Sequence, residues 1–180
     1  IADFASAADY YEELFSVDTE HKSAKEAIYS AAVFRKAMND PTTAIKNYQA
    51  FIKTFPDDER ITDVKLTIGK ILEKHEKWPE VAKLYQAYAA DPAGKTPEQI
   101  FYAKFQHGIA LEKQGRSATT HWKQLVSDYE KAKAAGTEMG LATEFAARVM
   151  MMLAKPKLDA ALALSISGPD RPVTDKKEAE

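Results

Sequence analysis

Residues 44–92 read AIKNYQAFIKTFPDDERITDVKLTIGKILEKHEKWPEVAKLYQAYAADP, and the two ends of this stretch repeat one another. Ala44, Tyr48 and Phe51 fall onto Val81, Tyr85 and Tyr88 at a shift of 37 residues. A small or apolar residue, an aromatic four later and another three beyond draw one stripe down a helix. Each copy then stops at a proline, Pro56 or Pro92. A helical stripe returning at a fixed period of tens of residues predicts a stacked array of helix pairs. The stripe also lies one period upstream, at Ala7, Tyr11 and Leu14. The chain therefore opens on what reads as the second helix of a pair.

Cap and stop signals divide the rest. Ser23 with Glu26 forms a capping-box pattern, and Asp40-Pro41 puts a cap before a proline at the first helical position. Asp57, Asp58 and Glu59 set negative charge at the entry of the next helix. Thr96-Pro97-Glu98-Gln99 is another start, Gly115 a stop, and Gly136-Thr137 a break. Pro156 reads as the start of a last helix that ends at Gly168. The expectation is all-α, about nine antiparallel helices in one domain over 1–168. A lone helix at 3–15 precedes pairs at 25–56, 59–92, 97–135 and 138–167. The charged stretch 169–180 has no apolar stripe and reads as a disordered tail.

Composition narrows the function classes. Of 180 residues, 29% are charged, yet the net charge is only −2 with both signs interspersed, which gives no electrostatic grip on nucleic acid. There is no Cys, so disulfide and thiolate chemistry are excluded. No apolar run reaches the roughly 18 residues of a membrane span. Opening on Ile1 without a charged leader, the sequence reads as a processed or trimmed chain whose signal or anchor would lie outside it.

First helices carry their own repeat: Ala32, Gly69, Gly108 and Ala147 recur at 37, 39 and 39 residues. Glycine inside a helix costs about 1 kcal/mol relative to alanine. Its return within Gly-x-x-Leu-Glu-Lys, at Gly69 and Gly108, predicts a helix crossing that admits only a small residue. With Ala32, Ala44, Tyr48 and Pro56 matching in order, the chain resembles the tetratricopeptide-repeat family. Gly69, Val81, Tyr85 and Pro92 match with Val for Ala. In the third pair Thr120 and Gln124 depart from the second-helix pattern, and Arg35 stands where the family has a large apolar residue. The 37-residue period and the run YQAFIKTFPDDE are similar to repeats in bacterial cell-envelope proteins, including the barrel-assembly lipoprotein and the periplasmic coordinator of envelope constriction.

The resemblance implies a right-handed superhelical α-solenoid that binds a peptide or partner helix in a concave groove lined by first helices. It implies a protein–protein interaction scaffold, not an enzyme, within an assembly, secretion or motility complex. A periplasmic or outer-membrane-associated setting follows, although the residues alone also admit a cytoplasmic one. Counting −6, −3, +1 and +4 from each crossing residue gives the expected lining: Glu26, Tyr29, Val33 and Lys36; Asp63, Leu66, Lys70 and Glu73; Tyr102, Phe105, Ile109 and Glu112; Leu141, Glu144 and Arg148, with Met151 beside them. Tyr29, Val33, Leu66, Phe105 and Ile109 form an apolar ridge suited to an apolar peptide. The ridge residues could instead pack on the chain's own helices. Two rival readings are self-assembly through the open first repeat and a helical ligand-binding or enzyme domain.

Motifs for chemistry are weak. Ala93-Gly94-Lys95-Thr96 imitates the end of a phosphate loop but lacks its first glycine and preceding strand, and Thr96 is better explained as a cap. The histidines His21, His75, His107 and His121 make no H-x-x-x-H pair. His107 and His121 lie on paired helices and read as packed residues, so neither a metal nor a cofactor is expected. Trp78 and Trp122 read as packing anchors.

Overall fold

The computed structural model describes residues 3–167. Among them are eight helices and no strand: α1 Phe4–Val17, α2 Ala24–Ala37, α3 Pro41–Thr54, α4 Ile61–Lys74, α5 Trp78–Ala90, α6 Pro97–Lys113, α7 Thr119–Ala134 and α8 Ala142–Ser167. Short turns fold each helix back on the one before it, and α8 packs on α6 as well as on α7. The expected tail at 169–180 lies outside the described residues.

Local chemistry explains the boundaries. The Asp3 and Asp40 side chains accept from Ser6 N–H and Thr43 N–H, each at 3.1 Å. Thr96 and Gln99 form the expected reciprocal box, at 3.0 and 3.3 Å. Four helices close through a left-handed residue, at Asn39 (φ 60°), Glu76 (φ 54°), Gly115 (φ 71°) and Gly136 (φ 78°). In each case the next N–H reaches back five residues to a helix carbonyl, as Asp40 does to Arg35 and Lys77 to Leu72, both at 2.9 Å.

Two start signals behave differently from expectation. Ser23 makes no side-chain cap, because its own backbone is already helical (φ −99°, ψ −3°), and Glu26 bonds the Arg60 guanidinium at 2.8 and 3.0 Å instead of closing the box. The last two expected helices are one, α8, with Pro156 inside it. Pro41 and Pro97 follow capping side chains and Pro79 follows the left-handed Glu76, whereas Pro156 follows a helical lysine with neither device. Lys155 and Asp159 pair at 3.0 Å across the proline, and the Ala- and Leu-rich sequence beyond it favours helix. α8 also starts later than 138, after Gly140 turns at φ 44° and Leu141 N–H bonds the Glu98 carboxylate at 3.2 Å.

The small residues of the first helices sit where an aromatic ring crosses. A Cβ added at Gly69 would lie 2.5 Å from the Tyr85 ring, and one at Gly108 would lie 2.1 Å from the Trp122 ring. Both rings are buried, as are Ala32 and Tyr48 in the first pair. The second-helix stripe also continues where expectation placed a departure. Ala118, Trp122 and Leu125 stand 37 residues after Val81, Tyr85 and Tyr88, and all are at most 2% exposed. Counting from the 39-residue glycine spacing had pointed two residues away, to Thr120 and Gln124.

Three buried clusters succeed one another along the chain. One joins α2, α3 and α4 around Tyr48 and Phe51, the next joins α5 and α6 around Tyr85, and the last joins α6, α7 and α8 around Trp122. Helix α1 is held differently, with Ala8 its one fully buried residue among those described. Arg35 donates to Glu12 at 2.7 and 2.8 Å and also to Asp9, while the buried Asn47 donates to Glu12 at 2.6 Å. The polar residue where the repeat pattern calls for an apolar one is thus the clasp that ties α1 to α2 and α3. The Arg35 hydrogen bonds hold the Glu12 carboxyl below its usual pKa despite partial desolvation.

Gly108→Ala should destabilise the chain by up to about 2 kcal/mol, because overpacking of about 1–3 kcal/mol against Trp122 outweighs the roughly 1 kcal/mol gain in helix propensity. Urea unfolding measures it, and an alanine variant as stable as wild type would refute the crossing. The Glu12 clasp contributes its stability above the ordinary carboxylate pKa of 4.5 and loses it as pH falls through the lowered folded value. Protection factors of the α1 amides should therefore fall in acid before those elsewhere, and Glu12→Gln should remove that pH dependence.

Candidate functional site

The expected groove is built on α2, α4, α6 and the start of α8. In α2, Tyr29 is half-buried between the rings of Phe51 at 5.5 Å and Tyr48 at 6.0 Å. The Arg60 guanidinium covers Tyr29 at 4.6 Å while pairing with Glu26 and Asp58. Val33 leans on the same cluster, and Lys36 is exposed. Asp58, expected to serve the helix dipole, is held well below the usual carboxylate range by Arg60, with Lys25 also bonding it. Arg60 was not singled out by sequence, since nothing in its spacing distinguishes it from a solvated base.

In α4, Asp63 and Lys70 are exposed and Leu66 is half-buried against the Tyr85 cluster. Lys70 Nζ stands 6.0 Å from the Tyr102 ring. Glu73 accepts the hydrogen bond of the Tyr85 hydroxyl, and burial with this partner pushes the Tyr85 pKa far up. In α6, Glu112 accepts from Trp122 Nε1 at 2.7 Å. Both glutamates lie four residues after a crossing glycine, on the same helix face, where the crossing ring's polar tip arrives. The repeated Gly-x-x-Leu-Glu-Lys is therefore a docking unit for an aromatic hydroxyl or indole, and Glu73 and Glu112 serve the fold.

The remaining ridge is covered in part by α8. Phe145 meets Phe105 at 5.6 Å and Tyr102 at 5.8 Å, and Phe105 also lies 5.7 Å from Trp122. Ile109 is half-buried on that cluster. Phe145 escaped the sequence reading, although its place two residues before Ala147 on a first helix was a usable signal. Leu141 is exposed, and Glu144 pairs with Arg148 along α8. The structure thus brings Glu26, Tyr29 and Arg60 together, and Tyr102 and Phe105 around Phe145 with Lys70 beside Tyr102, while Lys36, Leu141 and the Glu144–Arg148 pair stand apart.

Two other clusters carry titratable groups. The His107 and His121 rings meet edge to face at 4.7 Å, beside a cleft of about 260 Å³ between α5, α6 and α7. His121 Nε2–H donates to the Lys104 carbonyl at 2.6 Å. Burial, then the neighbouring His121 and Arg116, hold His107 down to about 4, so it is neutral at pH 7. Among the described residues no group of three His, Cys, Asp or Glu could hold a metal ion. The lysine of the phosphate-loop imitation turns back into its own loop: Lys95 bonds Asp91 and lies 5.0 Å from the Tyr88 ring. Among the described residues no helix is long and apolar enough to cross a membrane.

The buried Tyr88 hydroxyl has no hydrogen-bond partner among the described residues, and burial raises its pKa to about 12. Tyr88→Phe should therefore leave stability unchanged or raise it by up to about 1 kcal/mol, whereas Trp122→Phe, which opens a void over Gly108, should lower it by about 1–3 kcal/mol. Parallel urea titrations check both, and a destabilised Tyr88→Phe would mean that its hydroxyl is bonded in solution. No family model and no curated protein matches this chain.

Proposed function

We propose that this chain is a non-enzymatic scaffold for protein–protein interaction, a right-handed superhelix of tetratricopeptide-like pairs that holds an apolar peptide or partner helix along its first helices. The observation that carries the reading is the repeated crossing of a buried second-helix aromatic, Tyr85 or Trp122, over a first-helix glycine. A unit that spends its interior on positioning helices leaves a preformed outer face, and a rigid face loses little entropy when a partner docks. The polar groups at the ring crossings, the α1 clasp and the histidine pair support a binding role over a catalytic one. Glu73, Glu112, Asn47 and His121 are each engaged by a neighbour in the chain. By the resemblance of its 37-residue period, the scaffold belongs in a bacterial cell-envelope complex.

A test of the groove has to spare the ridge. Tyr29 and Phe105 pack on Phe51 and Trp122, so serine there would damage the core as well as any binding surface. Lys36, Asp63 and Lys70 are exposed on the same faces and supply the cleaner variant. Lys36→Glu, Asp63→Lys and Lys70→Glu together should leave the thermal midpoint unchanged and lower crosslinked capture of envelope proteins from the native cell at least tenfold. Equal capture by wild type and variant would remove the groove from the scaffold's binding surface.

A further inference from the structure

The gap between successive second helices is built twice from equivalent residues. Between α3 and α5 it is a cavity of about 450 Å³ whose lining includes Gln49, Ile68, Leu84 and Ala87. Between α5 and α7 it is the cleft of about 260 Å³, lined at the equivalent places by Gln86, His107, His121 and Gln124. Second helices are related here by 37 residues and first helices by 39, the offsets that also relate Tyr85 to Trp122 and Gly69 to Gly108. Where one copy has Ile68 and Leu84, the next has His107 and His121. Apolar side chains serve the packing at these places one repeat earlier, so two imidazoles together call for a different reason.

The His107 and His121 ring centres stand 4.7 Å apart. Around one metal ion, with metal–nitrogen distances of about 2.0–2.1 Å and ligand angles of about 90–110°, two imidazole centres lie about 4.5–5.2 Å apart. Helices α6 and α7 therefore already hold the rings at a chelating separation. His121 Nε2–H donates to the Lys104 carbonyl at 2.6 Å, which fixes the tautomer and leaves the lone pair on Nδ1. A metal-ligating histidine commonly has its other nitrogen bound to a carbonyl in this way. His107, neutral at pH 7, also keeps a lone pair, and its ring makes no hydrogen bond among the described residues. Its χ2 torsion is of the broad, two-fold kind, so this unbonded ring is the one that can turn from the edge-to-face contact toward a shared ion. Asp128, the carboxylate of the cleft, is engaged by Lys104 and, at 2.7 Å, by Gln124. Arg116 is close enough to His107 to oppose a cation, which keeps the affinity modest.

We propose that His107 and His121 form a two-imidazole site for a first-row divalent cation, Zn²⁺, Ni²⁺ or Cu²⁺, with water in the remaining coordination positions. Imidazole is a ligand these ions share, and Cu²⁺ binds tightest of the three. The ion clips α6 to α7 and thereby stabilises the third pair. The site uses none of Lys36, Asp63 or Lys70 and does not depend on the groove.

Calorimetric titration of the chain, without a histidine tag, with Ni²⁺ or Zn²⁺ at pH 7 should give one site, and the thermal midpoint should rise with ion concentration. His107→Gln and His121→Gln should each weaken binding at least tenfold. The double variant should bind no more weakly than either, because a single imidazole no longer chelates. His21→Gln and His75→Gln should bind as wild type does. Imidazole ¹⁵N resonances of the wild-type chain give a readout that needs no variant to fold: Zn²⁺ should shift His107 and His121 and leave His21 and His75 in place. Absence of one-to-one binding, full affinity in His107→Gln, or shifts confined to His21 or His75 would each overturn the proposal. The groove variant should keep its ion affinity, so failure of one reading is visible apart from failure of the other.

Discussion

A ring laid across a gap in a helix is the constraint from which the rest of this structure follows. At Gly69 and Gly108 even a methyl group would sit within 2.5 Å of the crossing aromatic. The cost of glycine within a helix is about 1 kcal/mol. The ring buried in exchange removes about 150–250 Å² from water, an upper bound of about 4–6 kcal/mol. Burial wins by a wide margin, so the costly residue stays. The ring in turn brings a polar tip into the interior, and the glutamate one helical turn beyond each glycine answers it. A carboxylate on an apparently outward face is thereby fixed by the packing of the opposite helix.

Much of this architecture was legible because helical period, caps and closing turns are local. The stripe through Tyr48 and Tyr85, the Thr96 box and the glycine spacing all correspond to contacts present in the fold. What failed was whatever depended on a competitor elsewhere in the chain. Glu26 has the spacing of a capping-box partner for Ser23, but Arg60 offers a full charge and takes it. Pro156 resembles Pro41 and Pro97 in isolation, yet a proline ends a helix there only with help from its predecessors. The third stripe, at Ala118, Trp122 and Leu125, was legible and was misplaced by a register argument. First helices shift by two residues between the second and third pairs while second helices keep their period. Indole, longer than phenol, spans the altered offset to Gly108.

The content of the proposed groove was much less legible than the position of its residues on the first helices. Residue counting from the crossing position puts the expected side chains on the first helices, but whether each is free depends on tertiary partners. Tyr29 is claimed by Phe51 and Arg60, Tyr102 and Phe105 by Phe145, and Glu73 and Glu112 by the crossing rings. Lys36, Asp63 and Lys70 keep their exposure. A binding face built this way would present half-buried aromatic edges between exposed charges, with specificity carried by the charges and affinity by the edges.

An array in which each helix pair touches only its neighbours treats its middle and its flanks unequally. The central pairs are braced on both sides by apolar clusters, and their crossing rings cannot leave without exposing two helices. Helix α1 leans on α2 and touches α3, and its attachment adds the Arg35–Glu12–Asn47 clasp, which apolar packing alone would not orient. A charge-assisted network gains strength from partial desolvation only while all its members are paired. It therefore fixes the angle at which α1 leaves the body, and with it the direction in which Tyr10 and Val17 point. The polar residue that breaks the repeat pattern at Arg35 is thus what gives the apolar side chains of α1 a defined orientation.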